Sequence, residues 1–174
     1  MPVRNSTEVA QRVLALMAII DEARREQLDL MHAWVARHGI ERYFTPNEAQ
    51  FMAARGHATK AVRVDFSWRA EGLMVLVWAL GGLDECPPLD RPLTNIASPL
   101  IELAARSPEE FIAGARLRPL PELETLDRTL MDASAKLRET RMRGLPDPAG
   151  LDFVVVYERS NAIAWVLDSR EGWD

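Results

Sequence analysis

Four charged residues stand out for where they fall. Arg69 and Glu71 are the only charges in Phe66–Leu83, FSWRAEGLMVLVWALGGL, a stretch apolar almost all the way round at helical spacing. At 100° per residue the two point about 200° apart on a helix, so they do not pair with each other. If the segment is buried, each must find a partner elsewhere, because an unpaired buried charge costs several kcal/mol. The other tight acid–base doublet beside a strongly apolar segment is Glu158-Arg159. The spacing predicts that Arg69 meets Glu158 and Glu71 meets Arg159, either fixing helix register or lining a polar pocket. Trp68, Tyr157 and Trp165 flank the quartet in sequence.

Other chemistry is thinly supported. His32, His38 and His57 with Cys86 fall into no zinc-binding spacing, and no metal or cofactor is expected. His32 reads as a boundary residue of an amphipathic helix. No neighbour in sequence lowers the pKa of Cys86, which reads as a bystander thiol. Gly81-Gly82 is a helix stop, since neither a GxGxxG pattern nor a Walker lysine follows. Neither Gly-x-Ser-x-Gly nor HExxH occurs.

The elements that would hold these residues read as helices. Phe66–Leu83, capped by Asp65, is expected to be the central helix; its uncharged part, Gly72–Leu83, is short of the roughly 20 residues that cross a bilayer. Ser6 or Thr7 can cap a first helix, and apolar spacing continues to about His38 with or without a break at Asp21–Gln27. Gly39 ends it. Thr45-Pro46-Asn47-Glu48 and Ser107-Pro108-Glu109-Glu110 are capping boxes with proline in the first turn. The first starts a helix that stops near Gly56; the second starts Pro108–Arg116. His57–Val64 reads as a basic connector. Ser98-Pro99 opens a short helix to Ala105, and Pro121–Arg143 is a long one with Leu123, Leu126, Leu130, Ala133 and Leu137 on one side. Its outer side, Lys136 to Arg143, is basic and could hold an acidic partner or simply be a solvated helix end. Phe153–Tyr157 would suit a strand by composition, but the continuation through Trp165 and the cap at Asp152 favour a helix.

The expected fold is therefore all-α: one domain over residues 1–174, an orthogonal helical bundle of about seven helices around the central apolar one. A 48% hydrophobic content supports a real core. A net charge of −5 argues against nucleic acid or an anionic membrane as partner. One cysteine and no secretion signal fit a cytoplasmic location.

Phe66-Ser67-Trp68-Arg69-x-Glu71 with Trp78-Ala79-Leu80-Gly81, Val156-Tyr157-Glu158-Arg159 with Ala162 and Trp165, and Trp173-Asp174 together resemble the bacterial family called domain of unknown function 4272. Phe44-Thr45-Pro46-Asn47-Glu48 echoes its Leu-Thr-Pro-x-Glu helix start. The resemblance spans about residues 7–174. Two departures occur: Ala164 stands where similar proteins have asparagine, and Met131–Ala135 lacks the arginine and aromatic residue that usually follow the Leu-Asp pair, here Leu126-Asp127. Any site served by that helix in similar proteins is not carried over. The resemblance implies the helical architecture and picks out the same quartet, but no reaction.

Two functions are expected to compete. One is a non-catalytic protein-interaction module, whose partner is a second copy (a homo-oligomer) or another protein that it neutralises. The alternative is a small-molecule binder or enzyme using Arg69, Glu71, Glu158 and Arg159. An exposed apolar patch would favour the first, and a pocket with those side chains converging on empty space the second.

Overall fold

The computed structural model describes residues 3–93 and 107–174, which are all-α. We number the helices α1 (Ser6–Arg24), α2 (Leu28–His38), α3 (Pro46–Ala53), α4 (Lys60–Ser67), α5 (Arg69–Ala79), α6 (Pro108–Gly114), α7 (Leu120–Met142) and α8 (Phe153–Val166), with a 3₁₀ turn at Ile40–Tyr43. No strand occurs among the described residues, so Phe153–Tyr157 is helical despite its β-prone composition. Asp152 explains this locally: its carboxylate accepts the backbone N–H groups of Val154 and Val155 at 2.9 and 3.0 Å. The helix expected over Pro99–Ala105, with its Ser98-Pro99 start, lies outside the described residues.

Several boundaries follow the sequence signals. Thr45 and Ser107 each complete a capping box, with Glu48 and Glu110. Gly39 ends α2 in the left-handed conformation at φ 62°, which costs glycine nothing. The first cap is corrected: Asn5, not Ser6 or Thr7, caps α1, because only Asn5 has a glutamate three residues on, and the two close a box. The apolar run to His38 is two helices, with Arg25 left-handed at the break.

The central segment is also corrected. Phe66–Leu83 is not one helix and Asp65 caps nothing. Thr59 caps α4, so most of the basic connector is helical. The break falls at Trp68, where Ser67 Oγ donates back to Val64 O at 2.7 Å and Glu71 N–H reaches only three residues back to Trp68 O. That local tightening ends α4 and starts α5 afresh. The break separates two environments: α4 has no buried residue, whereas every residue of α5 from Ala70 to Ala79 is buried.

α1 shares the interior with α5. Val9, Ala10 and Arg12–Ala23 are buried, and α1 packs against α2, α3, α4, α5 and α6. On the far side of α5 lies α8, and α7 packs along α8. Gly72 sits where α5 meets α8, and a Cβ there would stand 3.5 Å from that of Ala162 and 3.3 Å from the ring of Trp173. The missing side chain lets the C-terminal segment seat against α5.

Candidate functional site

Of the two pairings expected from the sequence, one is present and one is not. Arg159 on α8 donates from Nε and Nη2 to Glu71 Oε2 on α5 at 3.1 and 2.8 Å. Its Nη1 donates to the carbonyls of Pro87 and Pro88, and Glu71 Oε1 accepts Leu93 N–H at 2.7 Å. Arg159 is fully buried and Glu71 nearly so. The pair clamps α5, α8 and the proline-rich loop together with no face left for a ligand. Cys86 lies in that loop, half-buried, and burial pushes its thiol pKa up, which disfavours the reactive thiolate.

Arg69 does not meet Glu158. Its Nη1 donates to Glu48 Oε1 and its Nη2 to Asp174 Oδ1, both at 2.7 Å. Glu48 Oε2 also accepts Arg12 Nη2 and, at 2.9 Å, the backbone N–H of Thr45. Arg12 reaches the carbonyl of Tyr43 through Nη1, and its guanidinium lies 5.3 Å from the ring of Trp173. Two arginines and two carboxylates from four separate segments thus neutralise one another. Burial pulls Arg12 below its usual pKa, against the opposing pull of Glu48. For Asp174, burial alone would raise the carboxyl; the bonds from Thr45 and Arg69 and the nearby guanidinium charges outweigh it and hold the pKa low. The pairing of Arg69 with Glu158 fails for a geometric reason. Consecutive residues on α8 point about 100° apart, so once Arg159 faces α5, Glu158 turns to a recess that Arg69 also borders, where both Nη atoms of Arg69 are already taken by Glu48 and Asp174.

Glu158 instead lines a polar recess of about 210 Å³ with Asp65, Arg69, Tyr157, Asn161, Arg170, Trp173 and Asp174. It is half-buried, and desolvation raises its pKa while Arg69 and Arg170 pull it the other way. Trp173 reaches the recess because the tail is held from behind. Arg4 donates from Nε to Trp165 O at 2.9 Å and from Nη2 to the carbonyls of Arg170 and Glu171, and it bridges Asp168 at 3.2 Å. Trp165 is buried edge-on to Trp173, with ring centroids 5.3 Å apart. Of the three aromatics flagged by sequence, then, Tyr157 borders the recess, Trp165 supports its wall and Trp68 lies half-buried at the α4–α5 break.

Sequence reasoning missed Arg12, Glu48, Arg170 and Asp174 as partners of this region. Glu48 was visible only as a capping residue, and it does both jobs at once. Arg12 is the only charge between Val9 and Ile20, and that isolation was the available signal. A comparable pair was missed in Glu22 and His32. Buried Glu22 accepts the Gly56 N–H and lies 2.8 Å from His32 Nε2, tying α1 to α2. Among the described residues, no group of three or more His, Cys, Asp or Glu side chains is arranged to hold a metal ion.

A second concavity, about 550 Å³, runs between α7 and α8. Leu137, Met142, Phe153, Val156 and Tyr157 line it, with Arg138 and Arg141 along one edge. Tyr157 borders both it and the polar recess. Arg141 is committed to Asp147 through two bonds of 3.0 Å and lies 3.8 Å from the Phe153 ring centroid.

The fold and these sites define an all-α domain cross-braced by buried arginine–carboxylate clusters. The chain belongs to the family described as domain of unknown function (DUF4272), which matches residues 1–174. No curated protein and no solved structure matches it significantly. Among the described residues, no helix is long and apolar enough to cross a membrane.

Proposed function

We propose that this chain is a non-catalytic, cytoplasmic protein-interaction module whose α7–α8 groove receives an acidic, amphipathic helix of another protein. The observation that carries the reading is the groove itself. Its walls are apolar, yet it is open to solvent, with Met142 82% and Phe153 40% exposed. Other exposed apolar side chains such as Leu30 and Met131 lie outside this concavity, whereas Met142, Phe153 and Tyr157 are exposed together around it, and apolar side chains grouped in this way mark a contact site. The partner's charge follows from the rim. The chain as a whole is acidic, but this end of α7 carries Lys136, Arg138, Arg141 and Arg143. Arg141 and Arg143 are matched by Asp147 and Glu139. Arg138, which borders the groove, has no carboxylate partner among the described residues, so it is available to an acidic side chain flanking an apolar helical stripe; Lys136 lies on the opposite side of α7.

Selection of peptides from a random library on the folded chain tests this. Enriched peptides should repeat apolar residues at i, i+3 or i+4, and i+7, with Asp or Glu between them. Met142→Glu and Phe153→Glu should each weaken their binding at least about tenfold. Failure to enrich such peptides, or binding indifferent to both substitutions, would overturn the reading. A concentration-dependent dimer abolished by the same substitutions would overturn it too, by showing that a second copy fills the groove.

A further inference from the structure

The polar recess behind Tyr157 is built differently from the two closed clusters. Arg69 and Asp174, on one wall, are already spent on each other and on Glu48. What remains is Glu158 and Arg170, both half-buried, and the exposed Asp65, all lining the same space and none in an ion pair with any described residue. Arg170 lies near enough to act on the Glu158 carboxylate, yet the two side chains do not close on each other. Asn161 stands one turn along α8 from Glu158 and shares its face, and its amide offers both a donor and an acceptor. Tyr157 and Trp173 add two aromatic rings.

We infer that this recess of about 210 Å³, lined by Glu158 and Arg170 that are not joined to each other, binds a small zwitterion of amino-acid size. The ligand's ammonium faces Glu158 and its carboxylate faces Arg170. Several features converge on that class. The volume is below the roughly 300–1,000 Å³ of pockets that take drug-sized ligands. A purely anionic ligand would meet Glu158 and Asp65, and a purely cationic one would meet Arg170; only a molecule carrying both charges satisfies both ends. An aromatic ring beside the carboxylate favours an ammonium group there, and a free guanidinium suits a carboxylate. Asn161, in the same lining, adds a neutral donor and acceptor. An ammonium at Glu158 also supplies the direct ion-pair partner that this half-buried carboxylate lacks among the described residues.

Titration calorimetry on the full chain with a panel of L-amino acids is the direct test, each binder being compared with its methyl ester (amine kept, carboxylate lost) and its N-acetyl form (the reverse). At least one amino acid should bind with a Kd below about 1 mM. Its ester and N-acetyl form should each bind about tenfold more weakly. Glu158→Gln should abolish the preference for the free amine, and Arg170→Gln the preference for the free carboxylate. Neither variant should lower the thermal midpoint below that of wild type, which separates ligand contact from a structural role. No binder in the panel, or binding that both substitutions leave unchanged, would overturn the inference. Peptides selected on the α7–α8 groove should bind both variants normally, so failure here is distinct from failure of the docking reading.

Discussion

Glu71–Arg159 and the Arg69–Glu158 recess begin from near-identical sequence material, two charged doublets on two apolar helices, and end as opposites. The first is a closed contact in which Nε, Nη1 and Nη2 of Arg159 all donate. The second is an open space in which Arg69 has turned to Glu48 and Asp174, leaving Glu158 without a partner. The lesson is about helical phase. Adjacent residues on one helix face different surroundings, so a doublet such as Glu158-Arg159 divides its work between core and surface.

Breaking the closed side should have the largest effect. Arg159→Met strands the Glu71 carboxylate in the core and should cost about 3–5 kcal/mol in chemical denaturation. Pairing it with Glu71→Leu should recover much of that loss, because desolvating a charge pair offsets most of its attraction. A double variant as unstable as the single would show that the two side chains are not coupled. Glu48→Gln comes next, since it weakens the link to Arg12 and Arg69 together. It should lower stability by about 2–4 kcal/mol and release the C-terminal segment, seen as increased solvent quenching of Trp173 fluorescence in a variant retaining that tryptophan alone.

The open side should behave oppositely. Burial raises the Glu158 pKa, so the folded chain holds that proton more tightly than the unfolded chain does. The residue's contribution to stability therefore rises as pH falls from neutral through its raised pKa, and levels off below the ordinary glutamate value. Glu158→Gln should be neutral or slightly stabilising at neutral pH, and its difference from wild type should shrink on mild acidification. A clear loss of stability at neutral pH would mean that Glu158 is paired after all. Asp174 has the reverse sign. Its lowered pKa gives stability that is present above the ordinary aspartate value and lost as pH falls through the lowered one. Asp174→Asn should remove that acid-side loss, the smallest effect of the series, readable as a flatter stability profile at low pH.

Much of the helical framework could be read directly. The boxes at Thr45 and Ser107, the stop at Gly39 and the cap at Asp152 are local hydrogen-bond arrangements whose donors and acceptors lie within a few residues. The Glu71–Arg159 contact was legible for another reason: both residues sit in segments too apolar to be anywhere but inside, and burial forces a charge to find its complement. The break at Trp68 was not, because apolar spacing runs through it and only the backbone marks the end of α4. Nor was the role of Glu48, whose place in a capping box gave no hint that two distant arginines converge on it.

By itself, then, the sequence determined the all-α class and the segments whose caps are local, which of them are too apolar for the surface, and that Arg69, Glu71 and Arg159 needed partners. Tertiary structure alone decided who those partners are and which charge was left facing open space. Periodicity fixes the angle of each side chain about its own helix, but the orientation of one helix against another depends on contacts between residues as far apart as Arg69 and Asp174, and no local pattern encodes those.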